Sequence, residues 1–257
     1  ISPCLVGSEM CIRDRRNVKS AAYLAIFFIL FSCGENKEVN LKEFSLADDV
    51  FESGKDLMSL PFGLHELENV GSLQETLIRA VHGSNSRGYE WIYPLISLND
   101  SDNLMAFFRW DDGSCPDPSI RSLYQEIDRQ LLQSENIKNI ILLGHSYGGI
   151  LVTSFMKEWQ YSIPLEIHSI AAPLKGMGPI SAMCGYEAPK IVKSNTSLYQ
   201  WRTIKELDGA FRDLDYDPQV VQIKDSKIIR LPETYKGNKL GHNWSISWVA
   251  DEILGIN

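Results

Sequence analysis

The sequence is poor in cysteine, in runs of like charge and in long apolar segments, and each shortage excludes a class of protein. Five cysteines in 257 residues are too few, and odd in number, for a fold built on disulfides. No five consecutive residues carry the same charge, and 25 Lys and Arg against 33 Asp and Glu leave a net charge of −8. Because an acidic chain repels a phosphate backbone, we expect no nucleic-acid partner.

The composition that remains is typical of a folded globular protein. Hydrophobic residues make up 44% of the chain and charged residues 23%, which argues against disorder and collagen-like repeats. The length suits one α/β domain better than two. The sequence shows no internal repeat and no shift in composition that would mark a second domain, so we predict one folded domain.

Residues 1–15 resemble the translation of a transposase sequencing adapter. Residues 10–14 back-translate to the core of the transposon mosaic end, and residues 5–9 fit the primer sequence directly upstream in the same frame. A genuine N-terminal extension is the alternative. On the adapter interpretation these residues, including Cys4 and Cys11, contribute nothing to the fold.

Residues 16–32 resemble the signal peptide of a bacterial lipoprotein. A basic stretch precedes an eleven-residue apolar run at 21–31, which is too short to span a bilayer but suits a signal-peptide core. The run ends in a sequence similar to the lipobox, with Phe31 where a small residue is usual. The resemblance implies that Cys33 is the lipidated N-terminus of a protein anchored in the cell envelope, on the periplasmic or outer-membrane face. An ordinary signal peptide with a coincidental cysteine is the alternative.

Short apolar runs alternate with helical patterns in the rest of the chain, which is typical of βαβ units. Strands are predicted at residues 77–82, 104–110, 140–143, 165–170, 199–204 and 227–231, and helices are predicted to begin at Pro118 with Asp117 as N-cap, near Gly148 and near Trp244. The segment 39–74 shows no clear strand, and residues 173–197, rich in Gly and Pro, are predicted to form a loop or small lid. We therefore predict an α/β fold, a mostly parallel sheet of about six strands with helices on both faces.

A G-x-S-x-G sequence, residues 144–148, lies between the third predicted strand and the helix that follows it. A sharp strand-to-helix turn packs closely and strains its backbone, which explains both glycines. The turn holds Ser146 at the carboxyl end of the sheet, near a helix N-terminus that stabilises developing negative charge.

In this context the motif resembles the nucleophile elbow of the α/β-hydrolase superfamily. The resemblance implies an α/β-hydrolase domain at residues 71–257, preceded by a tether and N-terminal segment at 33–70. It also implies a serine hydrolase, with Ser146 as the nucleophile.

A serine hydroxyl needs a general base, and the superfamily places an acid and then a histidine after the serine. His168 falls within a predicted strand, where an ordinary sheet position is expected. His242 lies between the last predicted strand and helix, which matches the catalytic histidine of the superfamily. For the acid, the loop 206–217 holds several carboxylates; the superfamily position after the fifth strand favours Asp208, which a turn glycine follows, and Asp213 is the alternative.

The superfamily stabilises the oxyanion with backbone N–H groups. The resemblance assigns these to Tyr147, which follows the nucleophile, and to Ser84 in a His-Gly sequence after the first predicted strand, where His82 is expected to be structural. Aromatic and Met side chains could line an acyl pocket, but residues of these types lie more often in a hydrophobic core. The following therefore stay unassigned: Trp91, Tyr93, Met177 and Met183.

The expected reaction is hydrolysis of a small-molecule or lipid carboxylic ester, as in esterases and lipases, with no metal and no cofactor. An amidase, thioesterase or acyltransferase would use the same triad, and a non-catalytic lipoprotein that binds through this scaffold is the alternative of another class. Outside the cytoplasm Cys115 and Cys184 are candidates for a disulfide, and the sequence leaves open whether they are bridged.

Overall fold

The computed structural model describes residues 39–47, 49–68 and 74–256. The adapter segment, the signal peptide and Cys33 lie outside these residues, so their assignments stay predictions. Among the helices of the described ranges, none is long and apolar enough to cross a membrane.

Helices and strands alternate along the described chain. In order they are α1 Val50–Ser59, β1 Gly63–Glu66, β2 Thr76–Val81, α2 Tyr89–Ser97, β3 Asn103–Arg109, α3 Asp117–Gln133, β4 Asn139–His145, α4 Tyr147–Phe155, β5 Leu165–Ile170, α5 Gly178–Cys184, β6 Thr196–Arg202, β7 Lys227–Arg230, β8 Thr234–Tyr235, β9 Asn238–Lys239 and α6 Trp244–Ile253. Single 3₁₀ turns occur at Leu41–Glu43 and Lys205–Leu207.

Seven strands form one sheet in the order β1-β3-β2-β4-β5-β6-β7. Strands β2 to β7 run parallel, and they are the six strands predicted from the sequence, each within a few residues. The edge strand β1 pairs antiparallel with β3 and was not predicted. Residues 63–66, which we expected to belong to a tether and N-terminal segment, therefore contribute a strand to the sheet.

Each central strand sends alternate side chains to opposite faces of the sheet. In β4, Ile140 and Leu142 pack with α3 and α4 in one buried cluster, whereas Leu143 packs with α1, α2 and α6 in the other. The sheet thus has helices on both faces, as predicted. This layering fixes which strand ends meet at the carboxyl edge of the sheet.

The edge strand β1 is held by a buried guanidinium. The Arg79 side chain is fully buried in β2. Its Nη1 donates to the Leu104 carbonyl at 2.7 Å, and its Nη2 donates to Gln130 Oε1 at 2.6 Å and to Glu66 Oε1 at 3.3 Å. A buried charge is tolerated when it is paired and hydrogen-bonded. Glu66 at the end of β1 supplies that partner.

A disulfide joins Cys115, in the loop after β3, to Cys184 at the end of α5. The sequence did not decide whether these two cysteines are bonded, and in the structure they are. The segment 173–197, predicted as a loop or small lid, contains the short helix α5. The disulfide links the end of this helix to the loop after β3, at the carboxyl edge of the sheet.

Candidate active site

Ser146 occupies a strained turn between β4 and α4. Its φ is +54° and its ψ is −118°, a conformation that L residues rarely adopt. The Ser146 N–H donates to the Ile170 carbonyl at 2.8 Å, which ties the turn to the end of β5. On the other side, a Cβ on Gly148 would overlap the Val81 carbonyl oxygen at the end of β2. The turn is therefore packed between two neighbouring strand ends, as the glycine spacing predicted.

His242 and Asp208 form a hydrogen-bonded pair. The Nδ1 of His242 lies 2.9 Å from Oδ2 of Asp208, and the Asp208 side chain is fully buried. Asp208 also accepts from the Thr203 hydroxyl at 2.5 Å and from the Ala210 N–H at 2.8 Å. Because a carboxylate only accepts, Nδ1 carries the proton and Nε2 is the basic nitrogen.

The alternative candidates lie elsewhere. The Asp213 side chain is 87% exposed and pairs with Arg212 at 3.5 Å. His168 sits in β5 as an ordinary sheet residue, as expected, with Nε2 bonded to Glu166 at 2.6 Å and Nδ1 accepting from Trp201 at 2.9 Å. The acidic side chain that contacts His242 is therefore Asp208.

Ser146 and His242 line one cavity of about 240 Å³ at the carboxyl edge of the sheet. Its wall also includes Ser84, Glu90 and Asn243. The structure thus places the predicted nucleophile and base on the same small volume, with the predicted acid behind the base. This volume is large enough for a scissile carbonyl group and its immediate substituents.

The two residues predicted to donate to an oxyanion flank Ser146. Tyr147 is the first residue of α4, where backbone N–H groups have no partner within the helix. Ser84 is exposed on the cavity wall. The loop that carries it packs directly on the nucleophile, because a Cβ on Gly83 would lie 2.9 Å from Cβ of Ser146.

His82 anchors this loop. Its ring is buried, and its Nε2 faces two donors, the Trp110 N–H at 3.2 Å and Nη1 of Arg109 at 2.9 Å. The proton therefore sits on Nδ1, which donates to the Gly83 carbonyl at 2.9 Å. Burial, with the nearby Arg109 charge, lowers the pKa of His82 to about 4, so the ring is neutral near pH 7. This confirms the structural role expected of His82.

No role was predicted for His145, which occupies the variable position before the nucleophile in the G-x-S-x-G pattern. It is buried, and its Nε2 donates to the His242 carbonyl at 3.1 Å, with the two rings 4.5 Å apart. Burial, and then the adjacent His242, lower the pKa of His145 well below its usual value. A neutral His145 thus holds the loop that carries the predicted base.

Comparisons with known proteins agree with the architecture. No family model matches the chain. A proline iminopeptidase of Saccharolobus solfataricus is 24% identical over 169 residues, covering 61% of this chain and 52% of that protein. The chain thus spans about half the length of the curated relative it matches.

Two of the solved structures that the chain resembles illustrate the shared fold. Est1E from Butyrivibrio proteoclasticus superposes with a TM-score of 0.51 at 11% identity, covering 74% of this chain and 89% of Est1E. A protein assigned as a thioesterase from Silicibacter sp. TM1040 also gives 0.51, at 16% identity, covering 75% and 78%. With its parallel sheet and strand–Ser146–helix turn, the chain has the α/β-hydrolase fold.

Proposed function

We propose that the protein is a serine hydrolase that cleaves carboxylic esters through an acyl-enzyme on Ser146. The observation that carries the proposal is the pairing of His242 with buried Asp208 at 2.9 Å, on a cavity that Ser146 also lines. A strained serine, a histidine and a buried carboxylate are the groups that acyl transfer needs.

In the proposed reaction His242 Nε2 takes the hydroxyl proton of Ser146 while Ser146 Oγ attacks the carbonyl carbon of the ester. The carbonyl oxygen becomes an oxyanion, which the N–H groups of Tyr147 and Ser84 stabilise. Asp208 orients the imidazole and stabilises its charged form. When the intermediate collapses, His242 gives the proton to the leaving alcohol. Water, deprotonated by the same His242, then releases the acid and restores Ser146.

An amidase, thioesterase or acyltransferase would use the same groups, and a non-catalytic binding protein would use none of them. A panel of p-nitrophenyl esters of rising chain length, with matched thioesters and prolyl p-nitroanilide, separates these classes. Because p-nitrophenyl esters are intrinsically more reactive than anilides, each kcat/KM is divided by the uncatalysed rate constant; we expect the esters to give the largest ratio, and Ser146→Ala to lower kcat about 10⁶-fold. A larger ratio for the anilide or the thioesters than for the esters would contradict the ester assignment, and no turnover at all would favour the binding protein.

We also propose that the mature protein is held in the bacterial envelope by lipid on Cys33. The support is the apolar run followed by a lipobox-like sequence, and dual or triple acylation gives stable anchoring. Metabolic labelling with an alkyne fatty acid tests this. Label should appear on the wild type and disappear in Cys33→Ala; equal labelling of both would contradict it.

A further inference from the structure

A second feature of the cavity has no role in the proposed reaction. Glu90, in the first turn of α2, is only 7% exposed. Its Oε1 accepts from the Ser86 hydroxyl at 2.5 Å, and Ser86 in turn accepts from the Gly88 N–H at 3.2 Å. Oε2 is buried and has no hydrogen-bond partner in the described protein. One oxygen thus fixes the turn before α2, while the other lacks a donor, which is costly for a buried carboxyl.

Glu90 lies at the junction of two cavities. Beside the Ser146 cavity is a second volume of about 340 Å³. Glu90, Tyr89 and Asn243 line both of them. The two volumes therefore adjoin each other at these three residues.

The second cavity is an aromatic groove, which we define by Tyr89, Tyr93, Tyr235 and Trp244. The polar groups at one end of this groove form hydrogen bonds with one another and with Asp251. Lys236 bonds to buried Asp251 and to the Tyr93 hydroxyl, both at 2.9 Å.

The Tyr93 and Tyr235 hydroxyls donate to Asp251 at 2.6 Å. Lys236 Nζ also covers one face of each ring, 4.5 Å from the Tyr93 centroid and 4.8 Å from the Tyr235 centroid, so a ligand would contact the apolar ring surface that remains. Trp244 is 45% exposed on this wall.

We propose that Glu90 is a substrate-binding residue that accepts a hydrogen bond from a hydroxyl or ammonium group on the acyl part of the substrate, whose apolar remainder lies in the aromatic groove. The inference rests on the proposed function of Ser146. A donor atom on the α-carbon is two bonds from the carbonyl carbon that Ser146 attacks, which suits a side chain lining the same cavity. The substrates would be esters of α-hydroxy or α-amino acids with an apolar side chain.

Three methyl esters with one skeleton test this, those of 3-phenylpropanoic acid, 3-phenyllactic acid and phenylalanine. They differ only in hydrogen, hydroxyl or ammonium at the α-carbon. We expect the wild type to prefer at least one donor-bearing ester to the 3-phenylpropanoate ester. The preference is the ratio of their kcat/KM values, and it should fall about 10-fold or more in Glu90→Gln. Because the ratio is compared between proteins, the intrinsic reactivities of the esters cancel. The ester whose preference is lost in Glu90→Gln shows whether Glu90 binds a hydroxyl or an ammonium group.

The matched control is Glu52→Gln, which removes an exposed carboxylate from α1 and should keep the wild-type ratio. Glutamine at position 90 can still accept from Ser86, so the turn is preserved. The proposal is overturned if the wild-type ratio is unchanged in Glu90→Gln, or falls equally in Glu52→Gln.

A binding measurement separates this inference from the proposed function. Ser146→Ala protein is titrated with the same three esters by NMR, alone and combined with Glu90→Gln. We expect a donor-bearing ester to bind about 10-fold tighter than the first, and the second substitution to abolish the difference. This outcome would support the role of Glu90 even if the wild type hydrolysed no ester. Equal binding of all three esters by Ser146→Ala would overturn it.

Discussion

Acid should loosen the loop that carries the predicted oxyanion donor, because protonation of His82 is incompatible with its contacts. Nε2 of His82 faces the Arg109 guanidinium and the Trp110 N–H, and both groups only donate. A proton on Nε2 would break both hydrogen bonds and place two cations side by side. Accordingly the pKa of His82 is lowered from 6.5 to about 4 by burial.

The sign of the effect follows from proton binding. Between pH 6.5 and pH 4 the unfolded chain binds the proton on His82 and the folded protein does not, so unfolding becomes easier as the pH falls. At about 1.4 kcal/mol for each pH unit, the folded protein loses about 2.5 kcal/mol by pH 4.5 relative to pH 7. The depressed pKa of buried His145 acts in the same direction.

Urea denaturation of the wild type and of His82→Gln at pH 7 and pH 4.5 measures this. The variant has no titrating group at position 82, while every carboxylate titrates in both proteins. Its free energy of unfolding should therefore fall by about 2.5 kcal/mol less than that of the wild type over this range. Equal losses in the two proteins would refute the account of His82.

Three further outcomes are expected. Asp208→Asn should lower kcat about 10⁴-fold by presenting a donor to His242 Nδ1, whereas Asp213→Asn, on an exposed side chain, should leave it unchanged; equal losses in an ester assay would contradict the assignment of the acid. Replacing Cys115 and Cys184 together by Ser opens a bridge across 69 residues and should lower the unfolding free energy by about 4 kcal/mol in urea titrations; an unchanged free energy would contradict the chain-entropy model. Trp244→Ala should raise KM for phenyl-bearing esters several-fold and spare acetate esters; a matching rise for acetate would argue against the aromatic groove.

The central sheet could be predicted from the sequence because its strands are short apolar runs bounded by turn residues. Residues 140–143 are typical of a strand buried on both faces. The edge strand β1 could not be predicted from the sequence, because its four residues are all half-buried and show no alternation. Its attachment to the sheet also depends on the contact of Glu66 with Arg79, which lies 13 positions further along the chain. Helix α2 was missed for a local reason: Pro94 lies inside it, where proline usually breaks a helix.

The nucleophile and base could be proposed because one local motif and one loop position point to them. The position of Asp208 after the fifth predicted strand favoured it as the acid but left Asp213 open, and the structure separates the two by the 2.9 Å contact of Asp208 with His242. The roles of His145 and Glu90 depend on tertiary contacts, a carbonyl 97 residues away for His145 and two adjoining cavities for Glu90. Sequence spacing carries no signal for either.

The central claim is that Ser146 is the nucleophile, and fluorophosphonate labelling followed by peptide mass spectrometry tests it most directly. We expect one covalent adduct, on Ser146, which is absent from a folded Ser146→Ala protein and much slower to form in Asp208→Asn. An adduct that persists in Ser146→Ala, or that maps to another residue in the wild type, would contradict the claim.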